Sequence, residues 1–232
     1  MPTLNILGTR AGRAILARRG RRAILSTRSG RATLGMRGGR ARRGLQCAMP
    51  KLATHQIHLL AHPTTHSGAI ESLDVQLSVP SPGVLTLGYT LRADMSRLRV
   101  GSEGVPGPAD DLWKHTCFEA FVQPAGSLGY YEFNFSPTKQ WAVYRFNSYR
   151  KGMTPMDMAN PPNISIRRAP DCLELQATFP LPVSAGIDAA QRPKLALTAV
   201  VEEDSGRLCY WSARHPQGKP DFHHPDGFIF EI

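Results

Sequence analysis

The chain has 232 residues, and a hydrophobic content of 41% with 20% charged residues is sufficient for a buried core. No apolar run is long enough for a transmembrane helix. The formal net charge of the whole chain is +10. Residues 1–48 contain 12 Arg and no acidic residue. Residues 49–232 therefore hold 16 basic and 18 acidic side chains, which gives this larger part a net charge of −2. That balance gives the larger part no electrostatic reason to bind a nucleic acid or an anionic membrane.

Residues 1–48 form an Arg-rich segment in which a five-residue pattern recurs every nine residues, at 12–16, 21–25 and 30–34. Nine residues correspond to about 2.5 helical turns, so the apolar pairs of successive repeats would fall on opposite faces of a helix. Because the segment has no aromatic residue and carries only positive charge, we expect it to be disordered.

Three interpretations of this basic segment remain open. It could be an RNA- or membrane-binding arm, since guanidinium groups suit phosphate. It could be an Arg-rich transit peptide. It could also be a translated tandem repeat upstream of the true start, for which Met36 and Met49 are internal alternatives. We place the start of the folded part at residue 49 and predict one domain over residues 49–232.

The rest of the chain shows short segments with the period of two that is typical of strands. Gly and Pro, at 21 and 19 residues, separate these segments, and no ten-residue amphipathic helix pattern occurs. The segments are residues 73–79, 85–91, 117–122, 131–135, 141–146, 164–166, 173–179, 195–201, 210–211 and 228–232. Such a series indicates a β-sandwich or barrel, and we expect an all-β, two-sheet antiparallel β-sandwich of about ten strands.

The densest group of polar and aromatic residues lies on three consecutive predicted strands, 117–122, 131–135 and 141–146. Glu132 and Asn134 share a strand face because side chains i and i+2 point the same way, and residues of the neighbouring strands can join them. Aromatic rings beside carboxylate, amide and guanidinium groups suit a sugar. The candidate ligand-binding residues are Trp113, Glu119, Glu132, Asn134, Trp141, Tyr144 and Arg145. Alternatively, the aromatic residues form core and the charged groups pair with one another.

Two enzymatic alternatives involve the same part of the chain and its C-terminal loop. Glu119 and Glu132 could act as an acid/base pair for glycoside cleavage, which needs two carboxyl groups about 5–10 Å apart. His215 and His223 are weak candidates for metal ligands in a hydrolase. No established metal-binding spacing contains them, and no nucleophile elbow, phosphate-binding loop or dinucleotide motif occurs. We therefore favour a non-catalytic protein.

The cysteines and the absence of a secretory pattern bear on localisation. Cys47, Cys117, Cys172 and Cys209 include no C-x-x-C pair, and the last three lie in apolar patterns where a free thiol acts as a small hydrophobic residue. No apolar h-region of a signal peptide precedes them. We expect a reducing compartment and a cytoplasmic location.

Several of these stretches together resemble one protein family. They are residues 112–119 (LWKHTCFE), 131–137 (YEFNFSP), 144–146 (YRF) and 149–150 (YR), and in the C-terminal part 201–202 (VE), 210–211 (YW), 214–216 (RHP) and 220–223 (PDFH). This combination is similar to the uncharacterised bacterial DOMON-like domain proteins, of the superfamily that includes family 9 carbohydrate-binding modules. The likeness covers about residues 52–232 and leaves out the Arg-rich segment.

The resemblance implies a β-sandwich that binds a sugar or a haem on one sheet or its rim. Haem would need axial ligands, for which His115, His215, Met153 and Met156 are available, although no motif places them. We expect a non-catalytic domain that binds a small, carbohydrate-like molecule on one sheet face. No cofactor is predicted, and haem binding with electron transfer remains the alternative.

Overall fold

The computed structural model describes residues 54–182 and 192–232, which form 14 strands and short 3₁₀ turns but no α-helix. The strands are β1 (Thr54–Ala61), β2 (Ile70–Ser81), β3 (Val84–Ala93), β4 (Leu98–Arg99), β5 (Gly107–Pro108), β6 (Cys117–Gln123), β7 (Tyr130–Phe135), β8 (Gln140–Phe146), β9 (Thr154–Pro155), β10 (Asn163–Ala169), β11 (Cys172–Pro180), β12 (Lys194–Glu203), β13 (Leu208–Ser212) and β14 (Phe230–Glu231). The all-β prediction is confirmed, and each of the ten predicted segments overlaps a strand. The Arg-rich segment 1–48 and the boundary at residue 49 lie outside the described residues.

The strands follow one hydrogen-bonded path that curls into a half-barrel, in the order β10-β11-β3-β2-β1-β13-β12-β6-β7-β8-β5. Strand β1 makes the path continuous, because residues 54–59 pair with β2 whereas Leu60 and Ala61 pair with β13. Among the described strands, β5 and β8 are the one parallel pair. The structure therefore differs from the expected pair of separate antiparallel sheets, since one strand belongs to both halves.

The two halves of the curled sheet face each other across a common core. Phe179 of β11 packs against Phe133 and Phe135 of β7, with ring centroids 4.6 and 5.0 Å apart. The Tyr89 hydroxyl on β3 crosses the core and donates a hydrogen bond to the Glu119 carbonyl oxygen, 2.8 Å away. Alternating apolar residues on both halves supply this core, as a period of two requires.

The outer face of β6, β7 and β8 is also covered, so that these strands are buried on both sides. A second apolar cluster lies there, made by Leu112, Cys117, Phe121, Tyr130, Ala142, Tyr144, Phe146, Ala196 and Phe228. Residues before β6 and after β13 supply its two ends, Leu112 and Phe228. All six residues of β7 are consequently buried, including Glu132 and Asn134. In the parts of the chain that the structure describes, no helix is long and apolar enough to cross a bilayer.

Candidate functional site

A cavity of about 580 Å³ opens beside this outer cluster, a volume within the usual range for small-molecule sites. Its walls combine aromatic side chains with two buried carboxyl groups and three basic groups. They are formed by Trp113, Glu119, Glu132, Phe146, Arg150, Met153, Val200, Tyr210, Lys219, Pro220, Phe222 and His223. Three of the seven predicted candidates line this cavity. Glu119 and Glu132 come from the adjacent strands β6 and β7, and Trp113 comes from the 3₁₀ turn before β6.

The register of β6 and β7 brings the two carboxyl groups together. Glu119 lies directly opposite Asn134, and Glu132 is two residues from Asn134 on the same face. Glu119 and Glu132 are therefore diagonal cross-strand neighbours, a relationship that separates Cβ atoms by about 7 Å. Both side chains are buried, with 2% and 5% of their surface exposed.

Neutral hydrogen-bond donors hold each carboxyl group in place. The Asn134 amide donates to Glu132 Oε1 at 2.8 Å, and its Oδ1 accepts from the Cys117 thiol at 3.4 Å. The Thr198 hydroxyl of β12 donates to Glu119 Oε2 at 3.2 Å. Glu119 Oε1, in contrast, is buried and has no hydrogen-bond partner among the described residues. A buried acceptor without a partner is rare in native proteins, and the side chain that carries this oxygen lines the cavity.

Burial favours the protonated form of both carboxyl groups. It raises the pKa of Glu119 well above its usual range, and the nearby Glu132 carboxyl raises it further against the opposing hydrogen bond from Thr198. Burial also raises the pKa of Glu132 from 4.5 to about 7, although the Asn134 hydrogen bond and the Arg150 charge lower it. The pair therefore holds at least one proton near neutral pH.

A hydrogen bond joins the side chains of Tyr130 and His223 next to Glu132. The backbone N–H of Arg150 donates to the Tyr130 hydroxyl at 3.2 Å, and that hydroxyl lies 2.7 Å from His223 Nδ1. If the Tyr130 hydroxyl donates to Nδ1, the ring proton is on Nε2, which lies 3.9 Å from Glu132 Oε2. Burial lowers the pKa of His223 to about 4, so the ring is neutral at pH 7 and gives Glu132 no countercharge.

The ion pair between Arg150 and Asp221 links the segment after β8 to the loop that contains His223. The Asp221 carboxylate accepts hydrogen bonds from Arg150 Nη2 at 2.6 Å, from the Tyr149 hydroxyl at 2.5 Å and from the His223 backbone N–H at 3.1 Å. Burial raises the pKa of Asp221, but the hydrogen bonds from Tyr149 and Arg150 outweigh this effect and lower it. Arg150 thus has its own carboxylate partner while it lines the cavity.

The structure separates the other predicted candidates from the cavity wall. Trp141 has its side chain in the common core, on the opposite face of the sheet. Tyr144 is buried, lines a different pocket together with Asp110, packs edge-on against Trp113 at 5.5 Å and donates a hydrogen bond from its hydroxyl to Asp110. Arg145 is exposed and alternates with Tyr144, so it points away from Glu132. Because consecutive side chains of a strand alternate, Tyr144 lies on the face of Glu132, whereas Trp141 and Arg145 lie on the opposite face.

The candidate haem and metal ligands are dispersed. Met153 lies on the cavity, whereas Met156 packs against the common core and His115 Nδ1 lies 2.7 Å from Glu202 Oε2. His215 Nε2 donates a hydrogen bond to the Leu60 carbonyl oxygen at 2.8 Å and lines a different cavity from His223. Within residues 54–182 and 192–232, no three His, Cys, Asp or Glu side chains are grouped as metal ligands would be.

Sequence reasoning missed several residues of the cavity wall. Arg150, and not the predicted Arg145, supplies the guanidinium group at the cavity. Lys219 and Phe222 reach the cavity from the C-terminal loop. Periodicity gives no signal for them because they lie outside the long strands. Arg150 and Phe222 do belong to the stretches that carry the resemblance, residues 149–150 and 220–223, which was the available signal.

Comparison with known proteins supports the fold. The chain is similar to a solved structure from Bacteroides uniformis described as that of a "putative carbohydrate-binding protein", with a TM-score of 0.51 and 16% identity over 76% of this chain and 84% of the other. No protein-family model matches the chain. No curated protein matches it either. At this identity the likeness extends to the fold alone.

Proposed function

We propose that this protein is a non-catalytic domain that binds a small, carbohydrate-like molecule in the cavity on the outer face of β6 and β7. The observation that carries the proposal is the buried Glu119 Oε1, which has no partner among the described residues and belongs to a side chain lining the cavity. A hydroxyl group of a ligand would complete its hydrogen bonding.

The composition of the wall supports the same ligand class. Trp113 and Phe222 provide aromatic surface on which the C–H face of a sugar ring packs. Glu119, Glu132 and Arg150 provide acceptors and donors that match ring hydroxyl groups. The fold is similar to that of the Bacteroides uniformis structure described as a "putative carbohydrate-binding protein", which supports the proposal at the level of architecture.

Four finer assignments belong to the same proposal. They are membership of the DOMON-like proteins, the description of the two halves of the curled sheet as a two-sheet antiparallel β-sandwich, a domain boundary at residue 49 and a cytoplasmic location. The resemblance of residues 112–119 and 131–137 supports the first two. The composition shift after residue 48 supports the third. The fourth is supported by the free thiols of Cys117, Cys172 and Cys209 in the part of the chain that the structure describes.

Removal of the Trp113 side chain is expected to weaken ligand binding. Neutral mono- and oligosaccharides would be screened against the full chain, first by tryptophan fluorescence and then by calorimetry. For a sugar that binds, Trp113→Ala should lower the affinity about tenfold, equivalent to roughly 1.4 kcal/mol. Trp113 is only half-buried, so the fold should tolerate the change.

Arg145→Ala is the matched control, because Arg145 is exposed and points away from the cavity. Its affinity should equal that of the wild type. Equal losses in both variants would contradict the site, and no binding of any sugar would contradict the proposed function.

A second candidate function is glycoside hydrolysis, favoured by two buried carboxyl groups on adjacent strands. Glu119, with the more strongly raised pKa caused by burial, would be the general acid and Glu132 the base. Release of nitrophenol from a panel of aryl glycosides would be the assay. Turnover that Glu119→Gln abolishes would replace the binding proposal, whereas absence of turnover with bound sugar would retain it.

A further inference from the structure

The charges around the Glu119–Glu132 pair do not balance. Among the described residues, no Lys or Arg nitrogen lies within 4.0 Å of either carboxyl group, and the nearest basic atom is His223 Nε2 at 3.9 Å from Glu132. Arg150 is engaged by Asp221, and Lys219 is exposed at the rim. Two buried carboxyl groups without a cation are costly when ionised.

The other titratable groups around the pair do not supply the missing charge. Burial is the first cause that raises the pKa of the Cys117 thiol and of the Tyr89, Tyr130, Tyr144 and Tyr210 phenols, so these groups stay protonated and neutral. His223 is neutral above about pH 4, because burial lowers its pKa. No described cation therefore balances the Glu132 carboxylate when it ionises, and both this carboxylate and the aromatic faces of the cavity attract a cation.

We infer that the ligand of this cavity carries a primary ammonium group, as an amino sugar does, and that this group binds between Glu119 and Glu132. The ammonium has three N–H donors and no acceptor, which fits Glu119 Oε1 and the remaining lone pairs of Glu132. Trp113 and Phe222 would contact the rest of the ligand. This inference rests on the proposed function and names the ligand class for the same site.

If the ammonium group of the ligand replaces a proton on Glu132, the affinity depends on pH and binding releases that proton. The bound ammonium needs an ionised Glu132, so affinity should rise with pH and level off above about pH 7, where Glu132 has lost its proton. From pH 5.5 to pH 7.0 the affinity of such a ligand should increase about tenfold. Binding should release close to one proton at pH 5.5 and about half a proton at pH 7.0, where Glu132 is already half ionised. A neutral sugar has no reason to release a proton, and its affinity should stay constant or fall.

The experiment is calorimetry of the full chain with D-glucosamine, N-acetyl-D-glucosamine and D-glucose at pH 5.5 and 7.0. Two buffers of different ionisation enthalpy give the number of protons released. D-Glucosamine should bind at least tenfold more tightly than the other two at pH 7.0. Both its pH dependence and its proton release should disappear in Glu132→Gln, and its affinity should fall about tenfold in Glu119→Gln. Glu174→Gln, a change at an exposed ion pair on β11, is the matched control and should alter nothing.

The outcomes separate this inference from the proposed function. If the neutral sugars bind as tightly as D-glucosamine and no proton is released, the ammonium inference is wrong and the sugar site remains. If calcium ions bind the wild type but neither Gln variant, the carboxyl pair is a metal site and the inference is overturned. If none of the three sugars binds, and no sugar of the wider screen binds, both proposals fail.

Discussion

The Glu132→Gln variant should gain stability relative to the wild type as pH rises, by roughly 3 kcal/mol between about pH 4 and pH 8. Burial raises the pKa of Glu132 from 4.5 to about 7 in the folded protein. The stabilising contribution of the protonated carboxyl is fully present below pH 4.5 and is lost as pH rises through 7. Gln keeps the shape and the acceptor for Asn134 but has no proton to lose, so the variant avoids this loss.

The measurement is urea unfolding of both proteins over this pH range. The difference between the two free energies of unfolding is the relevant quantity, because His223 acts in the opposite direction. Burial lowers the pKa of His223 to about 4, so its contribution is present above pH 6.5 and lost as pH falls toward 4 in both proteins. The control Glu174→Gln should give a flat difference, within about 0.5 kcal/mol. A flat difference for Glu132→Gln would show that this carboxyl is ionised and compensated throughout.

Phe179→Ala should destabilise the protein by about 3–5 kcal/mol, the usual cost of removing a buried aromatic side chain. Phe179 on β11 is 1% exposed and contacts Phe133 and Phe135 on β7. Because β11 and β7 belong to opposite halves of the curled sheet, this truncation opens a cavity between the halves that neither half can close alone.

The free energy of unfolding from a urea titration again provides the test. Val79→Ala, a truncation at an exposed position of β2, is the control and should change stability by less than about 0.5 kcal/mol. A double-mutant cycle of Phe179→Ala with Phe133→Leu should show a coupling energy of at least about 0.5 kcal/mol, since the two rings touch. A loss below about 1.5 kcal/mol with no coupling would contradict a common core.

The strands were predictable because a period of two is a local property of the chain. Residues 131–135 alternate apolar and polar side chains, and this pattern alone indicates that Glu132 and Asn134 share a face. The same rule correctly places Glu119 on that face once β6 pairs with β7 in the observed register. Turns rich in Gly and Pro then mark where the strands end, as at Gly83, whose φ of 74° suits glycine between β2 and β3.

The features that the sequence did not indicate depend on distant parts of the chain. Trp141 and Arg145 were candidate ligand-binding residues, but the pairing of β8 with β7 places both on the face opposite Glu132, where Trp141 lies in the core and Arg145 is exposed. Arg150 reaches the cavity through its ion pair with Asp221, 71 residues later in the chain. No local pattern encodes such a contact.

What the sequence determined by itself is therefore the all-β class, the positions of the main strands and the shared face of Glu132 and Asn134. These features follow from alternation, turn residues and strand propensity, each of which acts over a few residues. Tertiary structure alone decided that β1 joins both halves of the sheet and that the polar face of β7 is buried. It also left Glu119 Oε1 without a partner among the described residues, because burial and hydrogen bonding depend on which remote segments pack there.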